Sequence, residues 1–204
     1  MDIQVLVATI DQKDHGILKK MNIQSDAIIA NQCDVNDVED LDYKGCRVRY
    51  LSFAERGVGL NRNNALMRAT AEIFLLADDD MVLCEGYPEK IKKIFSENPK
   101  ADVIIFNLTR ERRMKYKIKR KRKIGYKNFM RYGAAGIAAK TRSITKRGIT
   151  FNLHFGGGAD YSSGEDTLFL LDCLRKNLNI VAVPECIAEL TNTRKSTWFE
   201  GYND

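Results

Sequence analysis

Apolar positions in this chain fall in short unbroken runs, and several of those runs end abruptly in polar or acidic residues. The clearest is Ile73-Phe74-Leu75-Leu76-Ala77, which passes directly into Asp78-Asp79-Asp80 and Met81. A continuous apolar run of this length, without alternation, predicts a strand buried on both faces of a parallel sheet. Residues 3–9 predict a first buried strand rich in β-branched residues, ending at Thr9 and Asp11. Residues 27–30 predict a second, which stops at Asn31-Gln32-Cys33-Asp34, and the alternation over 47–53 predicts a third. A helix through Ile17, Leu18 and Met21 falls between the first two. Strand, helix, strand is how a parallel α/β sheet begins.

Further along, Gly57-Val58-Gly59-Leu60-Asn61-Arg62-Asn63-Asn64 predicts the opening of a helix running to about residue 71, with Leu60, Met67 and Ala71 available for its buried face. A glycine-flanked helix start offers free N–H groups and a positive dipole end, which suit a phosphate, and Arg62 sits in that first turn. The spacing matches neither a P-loop nor a Rossmann fingerprint, and a plain turn is an equal alternative. Residues 86–98 predict a helix with Pro88 near its start, and 102–108 another strand. The small residues of Gly133-Ala134-Ala135-Gly136-Ile137-Ala138-Ala139 let backbones approach closely. Phe155-Gly156-Gly157-Gly158-Ala159 reads as a flexible loop leading to Gly164-Glu165-Asp166. From there Leu168, Leu171, Leu174 and Leu178 mark an amphipathic helix with acids at its N-terminus. Residues 180–183 predict a short last strand closed by Pro184.

The 204 residues, 44% hydrophobic and 29% charged, describe a soluble globular chain read as one domain over 1–204. No apolar run approaches the roughly 20 residues of a membrane span. The N-terminus lacks the basic n-region and the small-residue cleavage site of a signal peptide, and the five cysteines form no Cys-x-x-Cys pair, so reduced thiols and a cytoplasmic location are expected. The net charge of +6 is unevenly placed. Twelve of the 33 basic residues lie between Arg110 and Arg131 against one acid, Glu111, leaving 21 basic residues against 26 acids elsewhere. The chain therefore reads as a mildly acidic domain with one basic arm over 110–131. The five consecutive charges at 119–123 predict a mobile surface loop. Its options are an anionic membrane surface at the inner face, a negatively charged acceptor, or nucleic acid. The last is disfavoured because no recognition fold accompanies it.

Ligands of open α/β sheets gather at the carboxyl ends of the strands, where Asp78, Asp79 and Asp80 would project. Three adjacent carboxylates splay into water, cap a helix, or share a cation. One or two carboxylates plus substrate phosphates are the usual way of holding Mg²⁺ or Mn²⁺, and capping with solvation is the even alternative. Glu165-Asp166 taken alone is an ordinary helix start. Trp198, the only tryptophan, is a sugar-stacking or an anchoring aromatic. His154 has no ligand spacing, and His15 reads as a solvated helix residue.

Together these parts resemble the inverting family 2 glycosyltransferases of GT-A fold. The resemblance rests on Ala8-Thr9, Asp34, the Gly57-to-Asn63 helix start, Asp78-Asp79-Asp80 and Gly164-Glu165-Asp166-Thr167, in that order. It implies a mostly parallel sheet flanked by helices and transfer of a sugar from a nucleotide-diphosphate donor, a UDP-sugar, to a hydroxyl in surface polysaccharide or glycolipid synthesis. It further implies that Asp80, with Asp78, binds Mn²⁺ or Mg²⁺. Ala8, Thr9, Asn31 and Asp34 would line the nucleoside pocket, with Asp34 preferred over Asn31 for the base. Asp78 and Asp79 would face the donor, Arg62 would lie near the pyrophosphate, and Asp166 would be the base beside Glu165. The acceptor would be a saccharide or lipid-linked. Thr197-Trp198-Phe199-Glu200-Gly201-Tyr202 reads as the start of a further acceptor-side region. Two rivals share some features. A nucleotidyltransferase would carry a glycine- and lysine-bearing phosphate loop where Ala8-Thr9-Ile10-Asp11 stands, and a non-catalytic nucleotide-sugar or nucleic-acid binding module would have no use for both Asp80 and Asp166.

Overall fold

A computed structural model describes residues 1–110 and 117–191. The elements in chain order are β1 (Ile3–Ile10), α1 (Gly16–Lys20), β2 (Asp26–Gln32), β3 (Asp37–Tyr43), β4 (Cys46–Phe53), α2 (Val58–Leu66), β5 (Ile73–Asp78), β6 (Met81–Leu83), α3 (Tyr87–Glu97), β7 (Val103–Arg110) and β8 (Arg122–Ile124). A 3₁₀ turn at Phe129–Arg131 is followed by β9 (Ile137–Lys140), α4 (Thr141–Thr145), α5 (Glu165–Arg175) and β10 (Ile180–Leu190). The strands form one sheet in the order β3-β4-β2-β1-β5-β9-β7-β10-β6, with β8 paired to β10 as well. Strands β4, β2, β1 and β5 are mutually parallel, as the apolar runs predict. The second half is mixed, because β9 runs antiparallel between β5 and β7.

Each run is apolar throughout because both faces of the sheet are covered. Val5, Val7, Ile29, Leu75 and Ile104 pack with Leu18 and Met21 around α1 and with Ile91 and Phe95 of α3. Leu6, Ile28, Phe74, Leu76 and Ile105 pack on the other face with Leu66 of α2 and Phe169, Leu170 and Cys173 of α5. Adjacent residues of a strand point to opposite faces, so a strand between two helical layers is apolar on both sides except where a buried polar side chain finds a partner, as Gln4 Oε1 does in accepting from Thr70 N–H.

In the sheet, three departures from the sequence reading stand out. Asp37-Val38-Glu39-Asp40-Leu41-Asp42-Tyr43 carries four acids, yet it forms β3, an edge strand antiparallel to β4. It is joined to β4 by Lys44 and Gly45, both at positive φ (55° and 80°), as a two-residue hairpin turn requires. The last strand does not stop at Pro184. It continues to Leu190, with the ladder to β7 slipping between Ala182 and Cys186, and Asn107 Nδ2 donates to the Pro184 carbonyl at 2.8 Å. An irregularity is where a strand accommodates proline. The described part of the basic segment is built into the fold rather than forming a mobile loop. Strand β8 pairs antiparallel with β10, Ile118 and Ile124 are buried, and Ile118 N–H donates to Asn107 Oδ1 at 2.9 Å. Most of its charges face outward, together with Tyr126 and Met130. The readings of Trp198 and of residues 197–202, and the part of the arm over 111–116, lie outside the described residues.

No helix among the described residues is long and apolar enough to cross a membrane. All five cysteines are free thiols.

Candidate active site

Because β4, β2, β1 and β5 run parallel, their carboxyl ends share one edge. Asp78 lies in register with Ala8, Ala8 with Ala30, Thr9 with Asn31, and Asn31 with Ser52. Thr9 Oγ1 donates to Asp79 Oδ2 at 2.7 Å, and Gln12 Nε2 donates to that same hydroxyl at 2.9 Å. Lys20 Nζ donates to the Asp79 carbonyl at 2.8 Å, while the Asp80 carbonyl accepts from Thr191 N–H and Oγ1 at 2.8 and 2.9 Å. The turn that follows β5 is thus tied on one side to β1 and α1 and on the other to the end of β10.

Asn31 is buried and engaged. Its Oδ1 accepts from Gln12 N–H at 2.9 Å, and its Nδ2 donates to the Gln12 carbonyl at 3.1 Å and to Ser52 Oγ at 3.2 Å. Asp34 stands on the rim with its side chain 81% exposed, held by Arg56 Nη2 at 2.6 Å. The edge therefore brings together Ala8, Thr9, Asn31, Asp78 and Asp79, and leaves Asp34 outside that group.

Helix α2 differs from expectation in two ways. It ends at Leu66, and much of its buried side is polar: Asn61, Arg62, Asn63 and Asn64 are buried beside Val58, Ala65 and Leu66, while Met67 is 64% exposed. Asn61 Nδ2 donates to the Ala30 carbonyl at 3.0 Å. Asn63 exchanges two bonds with the main chain of Phe151, each 2.8 Å, which fixes the segment ahead of the glycine loop. Nor does the helix start present its first N–H groups to a phosphate. Gly57 N–H donates to Gln32 Oε1 at 2.8 Å and Val58 N–H to the Gly157 carbonyl at 2.9 Å, so neighbouring chain already satisfies them.

The polar face of α2 delivers Arg62 to the centre of the acidic residues. Its Nη2 donates to Asp78 Oδ1 at 2.9 Å, and its Nη1 donates to Asp166 Oδ1 at 2.8 Å and Glu165 Oε1 at 3.2 Å. The guanidinium is 7% exposed and lies 5.3 Å from the centroid of the Phe151 ring, which itself stacks on Phe169. Arg62, Asp78, Tyr132, Ser163, Glu165 and Asp166 line one cleft of ≈ 520 Å³. Burial alone would depress the Arg62 pKa, but the charges of Asp78 and Asp166 reverse the effect and hold it above its ordinary value. Burial raises the Glu165 carboxyl, and the charge of Asp166 raises it further against the pull of Arg62. Burial likewise raises Asp166, where Arg62 and the Ala134 N–H pull down and Asp78 pushes up.

Two glycines make this crowding possible. A Cβ on Gly133 would lie 3.1 Å from Asp166 Oδ2, and one on Gly156, at φ +104°, would lie 2.8 Å from Glu165 Cδ and 2.6 Å from Val58 Cγ1. The glycine loop is therefore packed against the acid pair, in place of the free loop read from its composition. Sequence reasoning did not find Gly133 or the asparagines of α2. The signal for the latter was three asparagines on a helix with no matching apolar stripe.

Among the described residues, no three His, Cys, Asp or Glu side chains converge as a ready-made metal cage. The residues after β5 nevertheless fit a hard cation of the kind that takes one or two carboxylates and completes its shell with phosphate oxygens and water, since Asp78 and Asp80 are oxygen donors at the sheet edge.

The model of the glycosyl transferase family 2 matches residues 26–157, from β2 to the glycine loop. The chain belongs to this family. It has the mixed α/β architecture of the GT-A fold, shared with TarS of S. aureus. The structure of TarS 1-349 in complex with UDP-GlcNAc superposes with a TM-score of 0.76 at 16% identity, over 99% of this chain and 62% of that one. The TarS structure itself gives 0.71 at 16% identity over 94% of this chain and 37% of that one, and TarS 1-349 in complex with UDP gives 0.71 over 94% and 60%. This chain thus spans less than two thirds of each TarS chain. Among curated proteins, none matches the sequence. The family match takes in Asn31, Asp34, Arg62 and Asp78-Asp79-Asp80 and ends before Glu165-Asp166.

Proposed function

We propose that this protein transfers a sugar from a nucleoside-diphosphate donor, a UDP-sugar, to a hydroxyl of a saccharide acceptor, with inversion at the anomeric carbon. The observation that carries the reading is the single guanidinium of Arg62 bonded at once to Asp78 and to Asp166. It joins the acids after β5 to those opening α5 within one polar cleft. Family membership and the UDP and UDP-GlcNAc held by the TarS structures favour the donor class.

An acceptor hydroxyl is a poor nucleophile and must lose its proton as it attacks. Asp166, 29% exposed in the cleft, is assigned that proton, and Glu165, at 12%, the supporting position beneath it. Burial raises the Asp166 pKa, which strengthens it as a base, while Arg62 and the Ala134 N–H keep its carboxylate oriented. Thr9 and Gln12 hold Asp79 against β1, leaving the edge beside Ala8 and Asn31 for the nucleoside. Mg²⁺ or Mn²⁺, held by Asp80 and Asp78, would neutralise charge growing on the departing diphosphate. One displacement with one base needs no protein nucleophile, and inversion follows.

The test is Asp166→Asn, assayed for turnover and titrated with UDP and Mn²⁺ on the same preparation. The expected result is a turnover loss of about 10²–10⁴-fold with UDP affinity retained. Normal turnover in Asp166→Asn rejects the base, and failure of wild-type protein to bind UDP with metal rejects the donor.

A further inference from the structure

The described part of the basic segment displays cations on a fixed frame. Lys117, Lys119, Arg120, Lys121, Lys123 and Lys127 are all exposed, while Ile118, Ile124, Phe129 and Tyr132 from the same stretch are sunk into the core. The frame is held by the β8–β10 pairing, by the bonds exchanged between Asn107 and Ile118, and by Gly125 N–H donating to Asn128 Oδ1. No acid occurs between residues 117 and 133. Among the described residues no ion pair joins a carboxylate to any of these six cations, so unpaired positive charge is concentrated on this one face. A strongly positive face left unneutralised repels itself unless an anionic partner is meant to meet it.

Two further observations select the partner. Tyr126 and Met130 protrude from the same stretch at 62% and 71% exposure, so the face is apolar as well as basic. Five of the six cations are lysines, which act as point charges, whereas stereospecific phosphate recognition favours the bidentate fork of arginine. Clustered lysines with interleaved exposed aromatic and aliphatic side chains suit an anionic lipid–water interface, where charge is attracted to the surface and amphipathic side chains enter it. We propose that residues 117–130 form a docking surface for an anionic membrane, with the lysines against headgroup phosphates and Tyr126 and Met130 inserted among them. Met130 also lines the cleft that holds Asp166, so docking turns the mouth of that cleft toward the headgroups. Docking itself is independent of the transfer chemistry proposed above.

The experiment is flotation of the full chain with phosphatidylcholine vesicles, with and without phosphatidylglycerol, across a salt series. Wild-type protein is expected to float only with the anionic vesicles and to release as salt rises. The triple substitution Lys119→Gln, Lys121→Gln, Lys123→Gln is expected to lower partitioning about 10²-fold, since each cation at such a surface is worth about fivefold. Tyr126→Ser is expected to lower partitioning onto the anionic vesicles at low salt, without changing its salt dependence. The same charge change at Lys13, Lys19 and Lys44, exposed on other parts of the fold, is expected to leave partitioning near wild type. UDP titration and melting on the same samples separate loss of docking from loss of fold or donor site. If the triple variant melts early, Lys123→Gln alone, at about fivefold, carries the comparison. Equal flotation with neutral vesicles, an equal loss in the control variant, or unchanged flotation of the lysine variants overturns the proposal. So does binding to soluble polyphosphate without binding to vesicles.

Discussion

Arg62 Nη1 lies 2.8 Å from Asp166 Oδ1 across 104 residues of chain, and Nη2 of the same guanidinium lies 2.9 Å from Asp78 Oδ1. One cation therefore holds carboxylates from β5 and α5 at contact distance, in a place where they would otherwise repel.

Removing that cation leaves three partly buried acids without their partner. Arg62→Met is expected to destabilise the fold by about 3 kcal/mol, the lower end for breaking a buried ion pair because Asp78 and Asp166 retain some water contact. Urea unfolding checks this. Arg62→Met combined with Asp78→Asn and Asp166→Asn is expected to recover part of the loss, and an equally unstable triple variant would show that Arg62 acts through packing on Phe151.

The pH dependence of kcat/KM reports the base in the free enzyme. With Asp166 as the proposed base, activity requires it without its proton, and burial holds its pKa above that of a solvated aspartate, so activity is expected to fall with acidification at a higher pH than such a residue gives. Asp78 contributes to that elevation. Asp78→Asn is expected to move the acid limb to lower pH, whatever it does to the maximal rate, and Arg62→Gln to move it upward. Movement of both limbs in one direction contradicts the arrangement.

For the cation, UDP with Mn²⁺ is expected to raise the melting temperature more than UDP alone. Asp80→Ala is expected to remove that metal-dependent increment. At a ligand concentration of 100 times Kd, linkage amounts to about 2.7 kcal/mol, which is readily seen in a melting curve. Equal increments in wild type and Asp80→Ala would take the cation away from Asp80.

Glycine substitutions separate conformation from crowding. Gly45→Ala, at φ +80° with nothing within 4 Å of the added Cβ, meets backbone strain alone and is expected to cost about 1 kcal/mol. Gly156→Ala combines positive φ with contact on Val58 and Glu165 and is expected to cost about 3 kcal/mol. Gly133→Ala, 3.1 Å from Asp166 Oδ2, is expected to lower turnover with little change in melting. Differential scanning calorimetry paired with a turnover assay distinguishes the three.

The parallel half of the fold was legible because burial on both faces favours unbroken apolar runs, and Ile73-Phe74-Leu75-Leu76-Ala77 carries that constraint openly. Strand β3 was not legible, because an edge strand with a solvated face tolerates Asp37, Glu39, Asp40 and Asp42, and its pairing is set by a turn and a neighbour. The continuation of β10 past Pro184 was hidden for a similar reason: the slip in the ladder that accommodates proline depends on Asn107, 77 residues away. In the site, the acids stood out by their position after apolar runs. The part of Arg62 did not, because nothing local distinguishes a guanidinium aimed at a phosphate from one aimed at carboxylates 16, 103 and 104 residues distant. The family resemblance gives the base contact to Asp34 in preference to Asn31, while the fold gives the buried, in-register position to the amide.

The place of β9 in the sheet also orders how the molecule is assembled. Strands β4, β2, β1 and β5 find all their mutual neighbours within the first 78 residues, whereas β7 has only β9 and β10 beside it, both later in the chain. During synthesis the edge formed by the ends of β4, β2, β1 and β5 can close early, while β7 waits with unpaired strand edges until residue 140 has emerged. The Asp166 side of the cleft, carried on α5, joins after that. A chaperone attending this protein would thus meet a half-built sheet with the edge that carries Thr9, Asn31 and Asp78 formed and the carboxylates of α5 still to come.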